Sequence, residues 1–229
     1  FTAPENQTSI GSIIATDADD TVLGYDLTGT DASAISIDAS GVLSFVTAPN
    51  YEDKSTYSVT VSVSDGTNTT SQAVTINVSD VNDDPVITSS ASYNADENQT
   101  SIGSITATDE DNNTLTYSLS GTDATALSIS SSGVITFNAA PNYEAQNTYS
   151  ITVSVSDGTT SVTQSVTINI GNINDDPVIT SSVSYSVTEN QTSIGTVTVT
   201  DEDNDTLTYS LSGTDASALS INSSGELSF

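Results

Sequence analysis

The sequence predicts an all-β chain made of tandem β-sandwiches, and three observations carry that reading. Short segments return at a constant spacing: "ENQTSIG" begins at Glu5, Glu97 and Glu189, 92 residues apart each time. Between these returns, apolar and polar residues alternate with the two-residue period of a half-buried strand. No long window shows the 3.6-residue apolar period of a helix.

The repetition extends through the chain. "APNYE" at Ala48 and Ala140, "VSVSDGT" at Val61 and Val153, and "NDDPVITSS" at Asn82 and Asn174 keep the same spacing. A period of this length means that each copy is one structural unit. The boundaries fall at the acidic runs before proline, giving residues 1–84, 85–176 and 177–229 as two copies and part of a third. The abrupt start and stop predict that this is a segment of a longer chain.

Each element follows from local pattern. "TYSITVSVSDG" puts Tyr149, Ile151, Val153 and Val155 on one face of a strand and the serines and threonines on the other. "SVTQSVTINI" alternates likewise through Val162, Val166, Ile168 and Ile170. "LSISSSGVITF" (127–137) predicts two short strands around a turn in which Gly133 takes a positive φ that its β-branched neighbours resist. About seven such strands per copy, punctuated by Gly, Asn, Asp and Pro, make a sandwich of roughly immunoglobulin size. Tyr25, Tyr57, Tyr117, Tyr149 and Tyr209 recur in register and are expected in the core or at its corners.

Charge narrows the function. Thirty acids stand against one base, Lys54, for a formal net charge of −29. That imbalance excludes nucleic acid as a partner and disfavours anionic membrane surfaces. It also predicts that dissolved divalent cations compensate the self-repulsion of the compact chain. With no His, no Cys and one Lys, the usual nucleophile–base pairs are missing, so no enzymatic activity is expected. No cysteine means no disulfide, and no apolar run is long enough to span a membrane. Lys54 is expected to be a plain surface residue; Gln146 replaces it in the second copy.

The acids are not scattered. "ENQT", "NYE", "DED", the lone aspartate of "VSVSDG" and the junctions "DVNDDP" (80–85) and "NINDDP" (172–177) occupy fixed places in each copy. In a sandwich, the loops at strand ends gather at the two poles, so these acids can meet where one copy abuts the next. Calcium takes about six to eight oxygens at roughly 2.3–2.6 Å, a shell that carboxylates and carbonyls from several loops can build. Magnesium fits less well, because it demands a tighter octahedron and keeps its waters.

In these motifs, their order and their spacing, the whole chain resembles the cadherins, and more closely the cadherin-like tandem repeats of large bacterial surface proteins. The resemblance implies Greek-key, immunoglobulin-like sandwiches with Ca2+ bound at each joint. By position, it assigns Glu5, Asn50, Glu52, Asp80, Asn82, Asp83, Asp84, Asp109, Asp111 and Asp157 to the first joint. It assigns Glu97, Asn142, Glu144, Asn172, Asn174, Asp175, Asp176, Asp201 and Asp203 to the second. Asp17, Asp19 and Asp65 would form half of a joint with a preceding copy. Two departures stand out: Asn50 and Asn142 replace the family's first acid, and Asn172 replaces Asp80. The second joint is therefore expected to bind calcium more weakly.

The expected role is an extracellular spacer or stalk of a bacterial adhesin or surface fibre, whose stiffness is set at the joints. Its partners are the neighbouring repeats. The alternatives are a module that binds polysaccharide or like chains, and a filament subunit completed by a strand from another chain.

Overall fold

A computed structural model describes residues 1–19 and 22–229. By contacts the chain gathers into two compact units. One holds Phe1–Ile87, Ala107–Thr116 and Val155–Val162; the other holds Thr88–Thr106, Tyr117–Ser154 and Thr163–Phe229.

The first copy contributes β1 (Thr2–Pro4), β2 (Ser9–Ser12), β3 (Gly24–Thr28), β4 (Ile35–Ile37), β5 (Val42–Phe45), β6 (Thr56–Ser64) and β7 (Thr69–Ser79). They form two sheets, in the orders β1-β7-β6-β3 and β2-β5-β4. The long β6–β7 hairpin alternates as the sequence dictates, so Val59, Val61, Val74, Ile76 and Val78 point inward. They meet Ile10, Ile35, Leu43 and Phe45 of the other sheet in one apolar core. Each fully buried side chain of this size stabilises the fold by about 1.5–3 kcal/mol. Phe45 packs edge-to-face on Tyr57, with ring centroids 5.1 Å apart.

The second copy repeats the plan with β8 (Val86–Ile87), β9 (Ser92–Asp96), β10 (Ser101–Ser104), β11 (Ala107–Thr108), β12 (Thr116–Ser120), β13 (Leu127–Ile129), β14 (Val134–Phe137), β15 (Thr148–Ser156) and β16 (Ser161–Gly171). Its sheets have the orders β12-β15-β16-β9 and β10-β14-β13. Tyr149, Ile151, Val153 and Val155 are buried, as the alternation requires. Gly133 closes the β13–β14 turn at φ 80°, and an added Cβ would lie 2.2 Å from the Ile105 carbonyl oxygen. The third copy contributes β17 (Val178–Ile179), β18 (Ser193–Thr196), β19 (Val199–Thr200), β20 (Ser220–Ile221) and β21 (Glu226–Ser228). Three single-turn 3-10 helices, the first at Ala32–Ala34, are the helical segments among the described residues. Among the described residues, no helix is long and apolar enough to cross a membrane.

One pairing positions everything that follows. In each of the first two copies an early strand runs parallel to the last, β1 to β7 and β9 to β16: Thr2 to Pro4 align with Asn77 to Ser79, and Ser92 to Asp96 with Thr167 to Gly171. Parallel strands finish at the same pole. The glutamate after β1 or β9 therefore lands beside the run that follows β7 or β16, with Glu5 N–H on the Ser79 carbonyl at 3.1 Å and Glu97 N–H on the Gly171 carbonyl at 3.0 Å.

Lys54 does more than occupy surface. It ion-pairs with Asp31 and lies 4.7 Å from the centroid of Tyr57. Asp31 also accepts the Ser58 N–H at 2.8 Å, and the Lys54 contact first and this bond second hold its carboxyl below the ordinary range. In the second copy Gln146 donates to Asp123 at 3.0 Å, so an uncharged donor fills the same place.

Candidate metal centre

Within the first unit, five elements bring acids together. Glu5 is almost wholly buried, at 2% exposure. Its Oε2 accepts the Tyr51 N–H at 2.7 Å and its Oε1 the Val81 N–H at 2.8 Å. One carboxylate thus ties the "NYE" loop to the linker. Asn6, at φ 60°, turns the chain away, a conformation asparagine tolerates better than most residues. Its side chain reaches Asp83 Oδ1 at 3.3 Å.

The linker is pinned from the other side. Asp83 N–H donates to Asp111 Oδ2 at 2.7 Å, and Asn82 Nδ2 to Asp157 Oδ2 at 2.8 Å. Asp157 also accepts from Thr159 N–H and Thr160 N–H at 2.6 Å each. The Asn82 amide, then the Thr160 and Thr159 N–H groups, hold its carboxyl at about 2 against the opposing effect of burial. The "DED" loop closes on Asp109, whose Oδ1 accepts the Asn113 N–H at 3.0 Å while Asn112 adopts φ 59°.

Two carboxylate groups result, Glu5 with Glu52 and Asp83, and Glu52 with Asp80 and Asp111; within each, the candidate ligand oxygens lie within 4.8 Å of one another. Crowding has a cost. Burial first, and then the neighbouring acids, push the Glu52 and Asp80 carboxyls up: Glu5 and Asp111 act on both, Asp111 most strongly on Asp80. Three buried oxygens of the linker and the following acidic loop, Asp83 Oδ2, Asp109 Oδ2 and Asp111 Oδ1, have no hydrogen-bond partner; Asp83 and Asp111 belong to the two carboxylate groups, and Asp109 lies outside both. Buried carboxylate oxygens without a donor are costly, and hard oxygen donors from several loops are the set that a hard divalent cation takes. The residues fit calcium on that chemistry.

The second unit holds the counterpart. Glu97, 1% exposed, accepts the Tyr143 N–H at 2.8 Å and the Ile173 N–H at 2.7 Å. Asp175 N–H donates to Asp203 Oδ2 at 2.6 Å, and Asp201 Oδ1 accepts the Asp205 N–H at 3.0 Å. Glu97, Glu144 and Asp175 form one carboxylate group. Burial, followed by the charges of Glu97, Asp203 and Asp175, raises the Glu144 carboxyl. Asn172 stands where Asp80 stands in the first joint, so the second acid triad has no counterpart among the described residues.

Not every residue assigned from the sequence joins these groups. Asp84 and Asp176 are exposed and lie outside them. Asn82 and Asn174 each use Nδ2 on the following Asp carbonyl at 2.9 Å. Asn50 and Asn142 each spend Oδ1 on a backbone N–H of their own turn, from Asp53 and Ala145. Sequence reading passed over Asn6, Asn98, Glu110 and Glu202, which all hydrogen-bond to joint residues. Their exact recurrence at the repeat spacing was the available signal.

The fold and this pole of acids define a class: tandem cadherin-like β-sandwiches. Residues 90–171 match the Cadherin domain. The chain superposes on human CDH23 EC21-23 with a TM-score of 0.70 at 24% identity, covering 99% of this chain and 86% of that one. Mouse Cadherin-23 EC22-24 gives a TM-score of 0.64 at 25% identity, covering 99% and 83%. In sequence, the chain is 34% identical over 184 residues to Protocadherin Fat 4 of Homo sapiens, covering 72% of this chain and 4% of that protein. It is 31% identical over 161 residues to Chitinase A of Pseudoalteromonas piscicida, covering 69% of this chain and 19% of that protein. It therefore spans less than a fifth of either relative.

Proposed function

We propose that the chain is a calcium-stiffened spacer in the stalk of a large extracellular, cell-surface protein of the bacterial adhesin type, with Ca2+ held at the joints between residues 1–84, 85–176 and 177–229. The observation that carries this reading is the set of partnerless buried oxygens on Asp83, Asp109 and Asp111, from the linker and a loop of the second copy, of which Asp83 and Asp111 are grouped with Glu52 of the first.

When bound, calcium supplies the positive charge that this chain lacks and a shell of about six to eight oxygen contacts. The residues do the rest. Glu5 and Glu97 fix the loop and linker backbones; Asp83 and Asp175 carry the linker carboxylates; Asp109, Asp111, Asp201 and Asp203 present those of the next copy. Without a cation, like charges face one another and the joint acts as a hinge. Within the triad of Glu52, Asp80 and Asp111 the first joint has one acid more than the second, where Asn172 replaces Asp80, so it is the tighter. The chain's own residues offer no nucleophile–base pair, and the reading is non-enzymatic.

Small-angle scattering of the chain, titrated with calcium against a chelator and with magnesium as control, tests this. A maximum dimension that grows and sharpens with calcium supports the stalk; a profile indifferent to calcium removes it. A second reading, contact with polysaccharide, draws on the similarity to a protein named Chitinase A. Retention on insoluble chitin or an acidic polysaccharide, lost with chelator, would favour it.

A further inference from the structure

Each joint contains a pair of side chains outside the carboxylate groups. Asn50 Nδ2 donates to Glu110 Oε2 at 2.8 Å, and Asn142 Nδ2 donates to Glu202 Oε2; the partners are 60 residues apart in both cases. Asn comes from the "NYE" loop of one copy and Glu from the "DED" loop of the next.

The amide orientation is fixed by its surroundings. Asn50 Oδ1 accepts the Asp53 N–H at 2.8 Å, and the Asn50 carbonyl accepts the Lys54 N–H at 3.0 Å. The oxygen is thus committed to its own turn, and the NH2 must face outward. Asn142 is held in the same way by Ala145 N–H at 2.8 Å and Gln146 N–H at 3.0 Å. On the acceptor side, Asn112 Nδ2 holds the Glu110 carbonyl at 3.2 Å, and Asn204 Nδ2 holds that of Glu202 at 3.3 Å. In a chain with one basic residue, an amide is the donor at hand to meet a carboxylate across a joint.

We propose that Asn50–Glu110 and Asn142–Glu202 are clasps that tether one side of each joint without a cation. The clasp adds a donor where a carboxylate would add another repulsive charge. When cations are withdrawn, the joint opens about a tethered side rather than coming apart. The consequence for stiffness rests on the calcium reading above; the clasp itself is read in the absence of calcium.

The test uses the whole chain, which has no native cysteine. Spin labels on Ser33→Cys and Thr125→Cys, at corresponding exposed positions of the first two copies, report the first joint as a distance distribution in chelator. Asn50→Asp places two carboxylates together and is expected to raise the open fraction about fivefold to tenfold, the range for a lost charge-assisted bond at a partly exposed site. Asn50→Ala shifts it in the same direction. Asn50→Asp with Glu110→Gln exchanges donor and acceptor and is expected to return the distribution to within about twofold of the parent. If both single substitutions leave the chelator distribution unchanged, or the exchanged pair fails to restore it, the clasp is wrong. If calcium does not narrow the parent distribution, the calcium reading fails while the comparison in chelator still decides the clasp.

Discussion

The Glu97 carboxylate accepts the Ile173 N–H at 2.7 Å from 76 residues away, while its other oxygen holds Tyr143 N–H. A buried acid is here first of all a brace: it satisfies two backbone donors at the pole where the linker leaves the sandwich. Glu5 makes the same pair of bonds in the first copy.

Removing that brace orphans two donors. Glu97→Ala should cost about 2–4 kcal/mol, read from the midpoint of urea unfolding, and Glu97→Gln about half as much, because one acceptor remains. Equal midpoints for Glu97→Ala and the parent would show that the N–H groups find water.

Charge count should rank the joints. On the calcium reading proposed above, Asp80→Asn removes one carboxylate from the first joint and should weaken calcium binding there by roughly tenfold, and Asn172→Asp should strengthen the second by a similar factor. Isothermal titration of the parent and both variants checks this, and an Asn172→Asp isotherm superimposable on the parent would count against the assignment of that position.

Two glycines separate backbone strain from steric conflict. Gly133→Ala meets the Ile105 carbonyl oxygen at 2.2 Å as well as φ 80°, whereas Gly158, at φ 97°, has nothing within 4 Å of an added Cβ. Gly158→Ala should cost about 1 kcal/mol and Gly133→Ala about 3 kcal/mol or more by thermal unfolding. Similar losses at both sites would mean that the turn yields.

The Asp31 carboxyl lies below its ordinary 3.8 because of Lys54 first and the Ser58 N–H second. A depressed carboxyl contributes stability above its unfolded value, and that contribution is lost as pH falls through the lower folded value. Lys54→Gln, the second copy's own residue at this place, should lessen the loss of Tm below pH 3.8. Coincident curves of Tm against pH would show that Lys54 is without effect.

Much of this was legible in the chain. The alternation of "TYSITVSVS" named the buried face that Tyr149, Ile151, Val153 and Val155 occupy. The acid motifs pointed to the pole where Glu5, Glu52, Asp83 and Asp111 do meet. What did not show was the partner of each acid. The Asn50 side-chain oxygen accepts from its own turn and its NH2 donates to Glu110, a choice made by local backbone geometry.

Read as a string, the chain is a β protein whose segments return every 92 residues, with acids at fixed places and almost no cation of its own. Side-chain alternation and exact repetition are one-dimensional properties, and they survive being read as a string. The tertiary structure decided which acids converge. Parallel pairing of first and last strands, Thr2 to Pro4 with Asn77 to Ser79, sets Glu5 beside Asp80, and the folding back of the "DED" loop sets Asp111 against Asp83. Those contacts join residues far apart in the chain, and local pattern carries no information about strand order. Burial then leaves oxygens on Asp83, Asp109 and Asp111 without a donor, a shortage that exists only once the chain has folded.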